Sequence, residues 1–150
     1  MFNGRHSKVL KTRFPPARAS AVDERLLELS VEIPRDFRCF LLKLNGGVFN
    51  GPRLNISGDS SPVDSLDYLA GISTGSEYHE IGRGALNPYL LDENDPIQLL
   101  PIGYTVMGNM IFMVVEPGGD DFGAIGLKVM FSNRSFFIAS GIVEFVNGLL

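Results

Sequence analysis

The chain has 150 residues, 45% apolar and 20% charged, with 13 Lys and Arg against 17 Asp and Glu, a formal charge of −4. That is the composition of one soluble globular domain with room for a real core. It excludes a two-domain enzyme and a low-complexity chain, and the lone Cys39 excludes a disulfide scaffold.

The charge is divided along the chain. Residues 1–18 hold Arg5, Lys8, Lys11, Arg13 and Arg18 and no acid, while the remaining 132 residues hold 8 bases and 17 acids and carry −9. The longest apolar run in the basic stretch is Val9-Leu10, too short for a secretory signal. The longest anywhere, the six residues Met110 to Val115, falls far below the roughly 18 needed to span a bilayer. The reading is a flexible basic arm over residues 1–18 and a single domain over 19–150, with no membrane partner. A lone cysteine without a signal places the protein in the cytoplasm.

Pro15-Pro16 closes the arm, because adjacent prolines set an extended segment. Ser20 is the expected N-cap of a helix over 21–30, with Asp23 and Glu24 near its positive end and Val22, Leu26 and Leu29 at helical spacing. Pro34 restarts the chain as a first-turn residue. Phe37, Phe40, Leu41 and Leu44 then mark the buried face of a second helix, which Asn45-Gly46-Gly47 stops. In the middle, Val48 to Ile56 holds a possible strand broken by Gly51-Pro52, and Ser65 to Ile72 another. Ser76 is expected to cap a helix through about Leu86, followed by loop chemistry at Asn87-Pro88 and Asp92 to Pro96.

The last third reads as strands over Gln98 to Tyr104, Asn109 to Glu116, Ala124 to Phe131 and Phe136 to Ile138. Met110 to Val115 is apolar throughout, as a central strand covered on both faces would be. Leu127, Val129 and Phe131 alternate with Lys128, Met130 and Ser132, a half-buried pattern. Ser140 is the expected cap of a final helix packing Ile142, Val143, Phe145, Val146 and Leu149 inward. The class is α+β: two N-terminal helices, a mostly antiparallel sheet of about four to six strands, and a C-terminal helix packed on it.

Catalytic constellations are poorly represented. Gly71-Ile72-Ser73-Thr74-Gly75 matches the nucleophile-elbow pattern between a possible strand and a helix, which keeps a hydrolase using Ser73 as one reading. Its partners fail, because the only histidines are His6 and His79, and the latter follows Ser73 by six residues with only Glu77 as an acid between them. One Cys and two distant His form no zinc cluster. Asp92, Asn94 and Asp95 lack the glycine and distal Glu of a calcium loop, and Gly103 to Gly108 lacks the Lys-Ser/Thr of a phosphate loop. No cofactor or metal is expected, and no catalytic residue is assigned. The acidic body disfavours nucleic acid as its partner.

Three segments in order resemble the SUKH superfamily. Ile33 to Gly47 is similar to its "I/L-P-x-D/E-Y/F" restart and "F-L-x-x-x-N-G-G" helix end. Leu99 to Gly103 with Gly108 to Phe112 is similar to its "L-P-I-G…G-N" strand pair, and Phe137 to Phe145 to its closing strand and helix. The resemblance covers about residues 20–150. Gly141-Ile142 stands where the family has Ser-Phe, and the strand after Asn109 lacks the family's common aspartate. The resemblance implies an α+β fold and a non-enzymatic binding role, in bacterial members the neutralisation of an intracellular toxin, often a nuclease or deaminase. In fungal relatives it implies regulation of cell-wall assembly and scaffolding.

Acidic surface suits the first role, because a nucleic-acid-cleaving toxin presents a cationic active site that an acidic partner can steer into and cap. The candidate contacts are the loop acids Asp92, Glu93, Asp95, Glu116, Asp120 and Asp121. Pro34, Asn45, Gly46 and Gly47 are read as structural. The alternative is a regulatory or scaffold protein of the same fold that docks through the basic arm.

Overall fold

The structure, a computed structural model, describes residues 9–86 and 98–149. Seven strands form one antiparallel sheet in chain order. They are β1 (Leu10–Arg13), β2 (Gly47–Phe49), β3 (Leu66–Leu69), β4 (Leu99–Thr105), β5 (Met110–Val114), β6 (Ile125–Lys128) and β7 (Ser135–Ala139). Helices α1 (Ala19–Leu29) and α2 (Arg35–Lys43) fall between β1 and β2, and α3 (Ile142–Asn147) follows β7. The α+β class and the order of helices are as expected. Among the described residues the sheet has seven strands, more than the four to six anticipated.

The additional strand at the start lies in the segment read as a flexible arm. Leu10 is half-buried and Lys11, Thr12 and Arg13 are exposed, yet β1 pairs with β2 from Leu10–Phe49 to Arg13–Gly47. Charged side chains on an edge strand discourage unwanted pairing, so such a strand has the composition of a basic tail. Phe14 and Ala17 are buried, and the Ala17 N–H donates to the Leu41 carbonyl at 3.1 Å. Residues 1–8 of the arm lie outside the described residues.

Docking of Ala17 starts the first helix early, so Arg18 rather than Ser20 is its N-cap, without a side-chain bond. Pro34 is the N-cap of α2, one residue before the first turn, with Asp36 and Lys43 at the dipole ends that favour them. The expected helix from Ser76 to Leu86 is two short 3-10 turns, Glu77–His79 and Gly84–Leu86. Gly82 and Gly84 take positive φ, and Gly71 holds the chain in another path: its N–H donates to the His79 carbonyl and its carbonyl accepts from Ile81, both at 2.9 Å. β2 stops at Phe49, leaving Arg53 in an isolated bridge with Ser65. β6 stops at Lys128, so Phe131 does not continue the half-buried alternation: it sits on a turn at φ +62, fully exposed.

Ser140 is not the N-cap of α3, which is Gly141. Its backbone N–H and hydroxyl both donate to the Glu144 carboxylate, a capping box displaced outward by one residue. A Cβ on Gly141 would lie 3.2 Å from an Asp36 carboxylate oxygen, so the departure from Ser at this position fits its crowding against α2.

Alternation along the strands defines the two faces of the sheet. Ile111, Met113 and Val115 join Leu66, Leu69, Leu100, Ile102, Ile125 and Leu127 in the core under Phe37, Phe40 and Leu41 of α2 and Ile142, Phe145 and Val146 of α3. Met110, Phe112 and Val114 point to the other face. Met110 to Met113 are buried, as the unbroken apolar run required.

Candidate functional site

The acids Glu116, Asp120 and Asp121 lie together on the connection between β5 and β6. That loop is held by its own backbone: Gly119 N–H donates to Glu116 O at 3.2 Å, Ala124 N–H to Asp121 O at 2.8 Å, and Gly123 N–H to Val114 O at 2.7 Å. Gly123 has φ +90, and a Cβ there would lie 2.9 Å from Cγ of Pro34. Pro34 therefore buttresses the acidic loop as well as starting α2. Asp120 and Asp121 are exposed, Glu116 is half-buried, and none of the three forms an ion pair among the described residues.

Beside this loop, on the face away from the helices, lies a groove of about 300 Å³. Leu99, Phe112, Val114, Gly126 and Phe137 contribute its apolar lining and Asp121 its acidic rim. Gly126 makes room for it: a Cβ would lie 2.5 Å from Cζ of Phe112 and 2.8 Å from the Phe136 carbonyl. The Phe112 ring thus lies over bare backbone, and Phe137 stands half-exposed at the edge (52%). An apolar floor next to carboxylates that form no ion pair among the described residues suits a protein segment that offers an apolar side chain beside a cation.

Asp92, Glu93 and Asp95 lie outside the described residues. Gln98, the first described residue after them, accepts from Val115 N–H at 2.9 Å, so the chain re-enters the sheet beside the start of the acidic loop.

The Asn45-Gly46-Gly47 stretch is buried and structural in its geometry. The Asn45 amide donates to the carbonyls of Pro15 at 2.7 Å and Ile72 at 2.8 Å, and its Oδ1 accepts the Ile72 N–H at 2.9 Å. A Cβ on Gly46 would lie 2.3 Å from the Leu69 carbonyl oxygen, and one on Gly47 2.7 Å from that of Thr12.

Ser73 sits at φ +55, but its surroundings are not those of a nucleophile. The Thr74 N–H, where an elbow would offer an oxyanion donor, donates to Glu80 Oε2 at 2.7 Å, and Ser73 N–H donates to Glu80 Oε1 at 2.7 Å. Glu80 in turn faces Arg25 at 3.6 Å. His79 packs between the rings of Phe14 and Tyr68, at 5.2 and 4.7 Å between centroids, and its Nδ1 has no hydrogen-bond partner among the described residues.

A second buried polar cluster was not anticipated from sequence. Asp64 accepts from Ser65 N–H at 2.8 Å, Met107 N–H at 3.2 Å and Asn109 Nδ2 at 2.9 Å. Asn109 Oδ1 accepts from Met130 N–H at 3.2 Å, and Thr105 Oγ1 accepts from Asn109 N–H at 3.0 Å. Its signal was the Gly108-Asn109 pair, whose Asn ties two turns to one carboxylate. Among the described residues no group of three or more His, Cys, Asp or Glu could hold a metal ion, and no helix is long and apolar enough to cross a membrane.

A model of the SMI1 / KNR4 family (SUKH-1) matches residues 16–148. No curated protein and no solved structure matches the chain.

Proposed function

Because the chain belongs to the SMI1 / KNR4 family (SUKH-1), we propose that it is a non-enzymatic protein-binding domain of the immunity type. It neutralises an intracellular toxin of nuclease or deaminase chemistry, in the cytoplasm, by covering a cationic active site. The observation that carries this reading is the acidic rim that Asp121, next in the chain to the exposed Asp120, gives to the apolar groove of Phe112, Val114 and Phe137. Carboxylates that form no ion pair among the described residues are desolvated usefully only against cations brought from elsewhere, and the −9 body steers a cationic molecule in. Phe137 and the groove floor supply the apolar centre that holds the complex once formed.

Expressed beside such a toxin, the chain should restore growth and abolish toxin activity in a purified mixture. Asp120→Asn with Asp121→Asn should weaken binding about tenfold or more and reduce its salt dependence, and Phe137→Ser should speed dissociation. Full protection by all these variants would remove the mechanism.

The exposed Lys11 and Arg13 of β1 favour a second reading, a regulatory or scaffold protein that docks through its basic segment. Lys11→Glu with Arg13→Glu separates the two: a scaffold loses its partner, and an immunity protein keeps protecting.

A further inference from the structure

At the end of the sheet opposite the acidic loop, four large apolar side chains point into solvent. Val106 and Met107, on the turn between β4 and β5, are 61% and 72% exposed; Val63 is 71% exposed and Phe131, on the turn between β6 and β7, wholly so. They belong to three separate segments that the Asp64–Asn109 network binds into one surface. Val63 precedes Asp64, Met107 donates its N–H to Asp64, and Val106 donates its N–H to the Ser65 carbonyl at 2.8 Å. Phe131 follows Met130, whose N–H is held by Asn109. A buried carboxylate and carboxamide are thus devoted to fixing a set of side chains that the fold itself leaves unburied. A fixed patch loses little conformational freedom on association.

The charges around this patch differ from those of the rest of the body. Arg53 bridges to Ser65, Lys128 pairs in register with Met110, and Arg134 donates to the Ser60 carbonyl at 2.8 Å. Asp59 and Asp67 stand on the adjoining segments, both exposed. None of the three cations forms an ion pair among the described residues, whereas Arg25, Arg38 and Arg83 do. Two copies of a body carrying −9 repel each other across most of their surface. Here three cations and two acids stand on the segments that carry the apolar side chains, and a two-fold contact, which sets a surface against itself, is served by such a mixture because the cations of one copy can face the acids of the other. Its residue types, Phe, Met and Arg, are those enriched in interface centres.

We propose that this end of the sheet is a two-fold self-association surface, occupied by the Val63, Val106, Met107 and Phe131 surface of a second copy. The contact leaves the acidic loop and groove of each copy outward at the far ends, so one dimer presents two partner sites.

Sedimentation velocity of the full chain over the micromolar range tests it. The expected result is a concentration-dependent species of twice 16.4 kDa that persists in raised salt, since its centre is apolar. Phe131→Glu and Met107→Lys, both at exposed turn positions, should each weaken dimerisation about tenfold or more while leaving the melting temperature of the dilute monomer unchanged. Asp120→Asn with Asp121→Asn should leave it intact, so that failure here is distinct from failure of toxin binding. A monomer at every concentration, or a dimer indifferent to both turn variants, would overturn the proposal. So would a monomer that binds phosphatidylcholine–phosphatidylglycerol vesicles through Phe131 and Met107, which would assign the patch to a lipid surface.

Discussion

The side chain of Asn45 and the peptide group of Ile72 hydrogen-bond each other in both directions, Nδ2 to the Ile72 carbonyl at 2.8 Å and the Ile72 N–H to Oδ1 at 2.9 Å. A side chain here does what a neighbouring strand would do. It carries the pairing of the sheet past the end of β3, and its second amide hydrogen reaches the Pro15 carbonyl. The left-handed backbone at Asn45, φ +52, aims the carboxamide inward, and asparagine tolerates that conformation better than most residues.

Asn45→Ala should therefore cost about 3 kcal/mol, because it strands a buried N–H and two carbonyls. For a domain of this size that is roughly 6–12 °C in Tm. Asn45→Asp should cost at least as much, since the carboxylate turns acceptors toward two carbonyls. Urea unfolding monitored by far-UV circular dichroism checks both, and unchanged stability in Asn45→Ala would contradict the bonding described.

Gly126→Val should break the groove and the core together. The first added carbon would already lie 2.5 Å from Phe112 and 2.8 Å from the Phe136 carbonyl, a clash with backbone that can be relieved only by moving β6 or β7. A loss of about 2–3 kcal/mol is expected, with partner binding lost even where the protein still folds at low temperature. Phe137→Ser, which removes a half-exposed ring, should spare stability and affect binding alone.

Tyr68 gives the alkaline limb of stability its slope. Burial, then the neighbouring Tyr104 and Asp67, raise its phenol above the ordinary 10.0. The folded chain therefore keeps a proton that the unfolded chain releases, so stability is full below pH 10 and falls as pH rises beyond it. Tyr68→Phe should flatten that decline in denaturant titrations at increasing pH.

The acid limb holds a smaller, opposite effect. The hydroxyl and backbone N–H of Ser140 lower the Glu144 carboxyl below 4.5. Its contribution is present above that pH and disappears as pH falls through the lower folded value. Glu144→Gln should be less stable than the parent at neutral pH and converge with it in acid. Parallel curves would show that the cap does not titrate with folding.

Removal of residues 1–8 should leave the melting transition where it is, whereas removal of 1–13 should lower it. The longer deletion strips β1 and makes β2 the edge of the sheet, while the shorter one leaves Val9 to accept from Asn50 N–H at 2.8 Å. Equal melting temperatures for the two truncations would mean that β1 contributes nothing to the sheet.

These elements differ in how far they could be read from sequence, and for physical reasons. α2 carries its whole definition locally, in Pro34, the Phe37–Phe40–Leu41 face and the glycines that end it. β5 is an unbroken apolar run because both of its faces are buried. β1 carries almost none, since three of its four residues are exposed and the only information that makes it a strand resides in β2. The helix expected after Ser76 gives way because Gly71 hydrogen-bonds to residues 79 and 81, a pairing eight to ten residues apart that neither helical nor alternating spacing signals. At the site, Glu116, Asp120 and Asp121 were legible as loop acids. The groove beside them was not, because alternation alone does not say which face the helices cover. Gly126 in the middle of a strand was the available clue, since glycine there marks a close approach.

The strand order follows the chain from one edge of the sheet to the other. During synthesis, each strand from β2 onward meets an edge vacated for it by the one made just before. The nascent sheet thus offers a single growing border whose rightful occupant is the next segment to emerge, and a β-rich domain built this way avoids holding several open borders while it waits for distant partners.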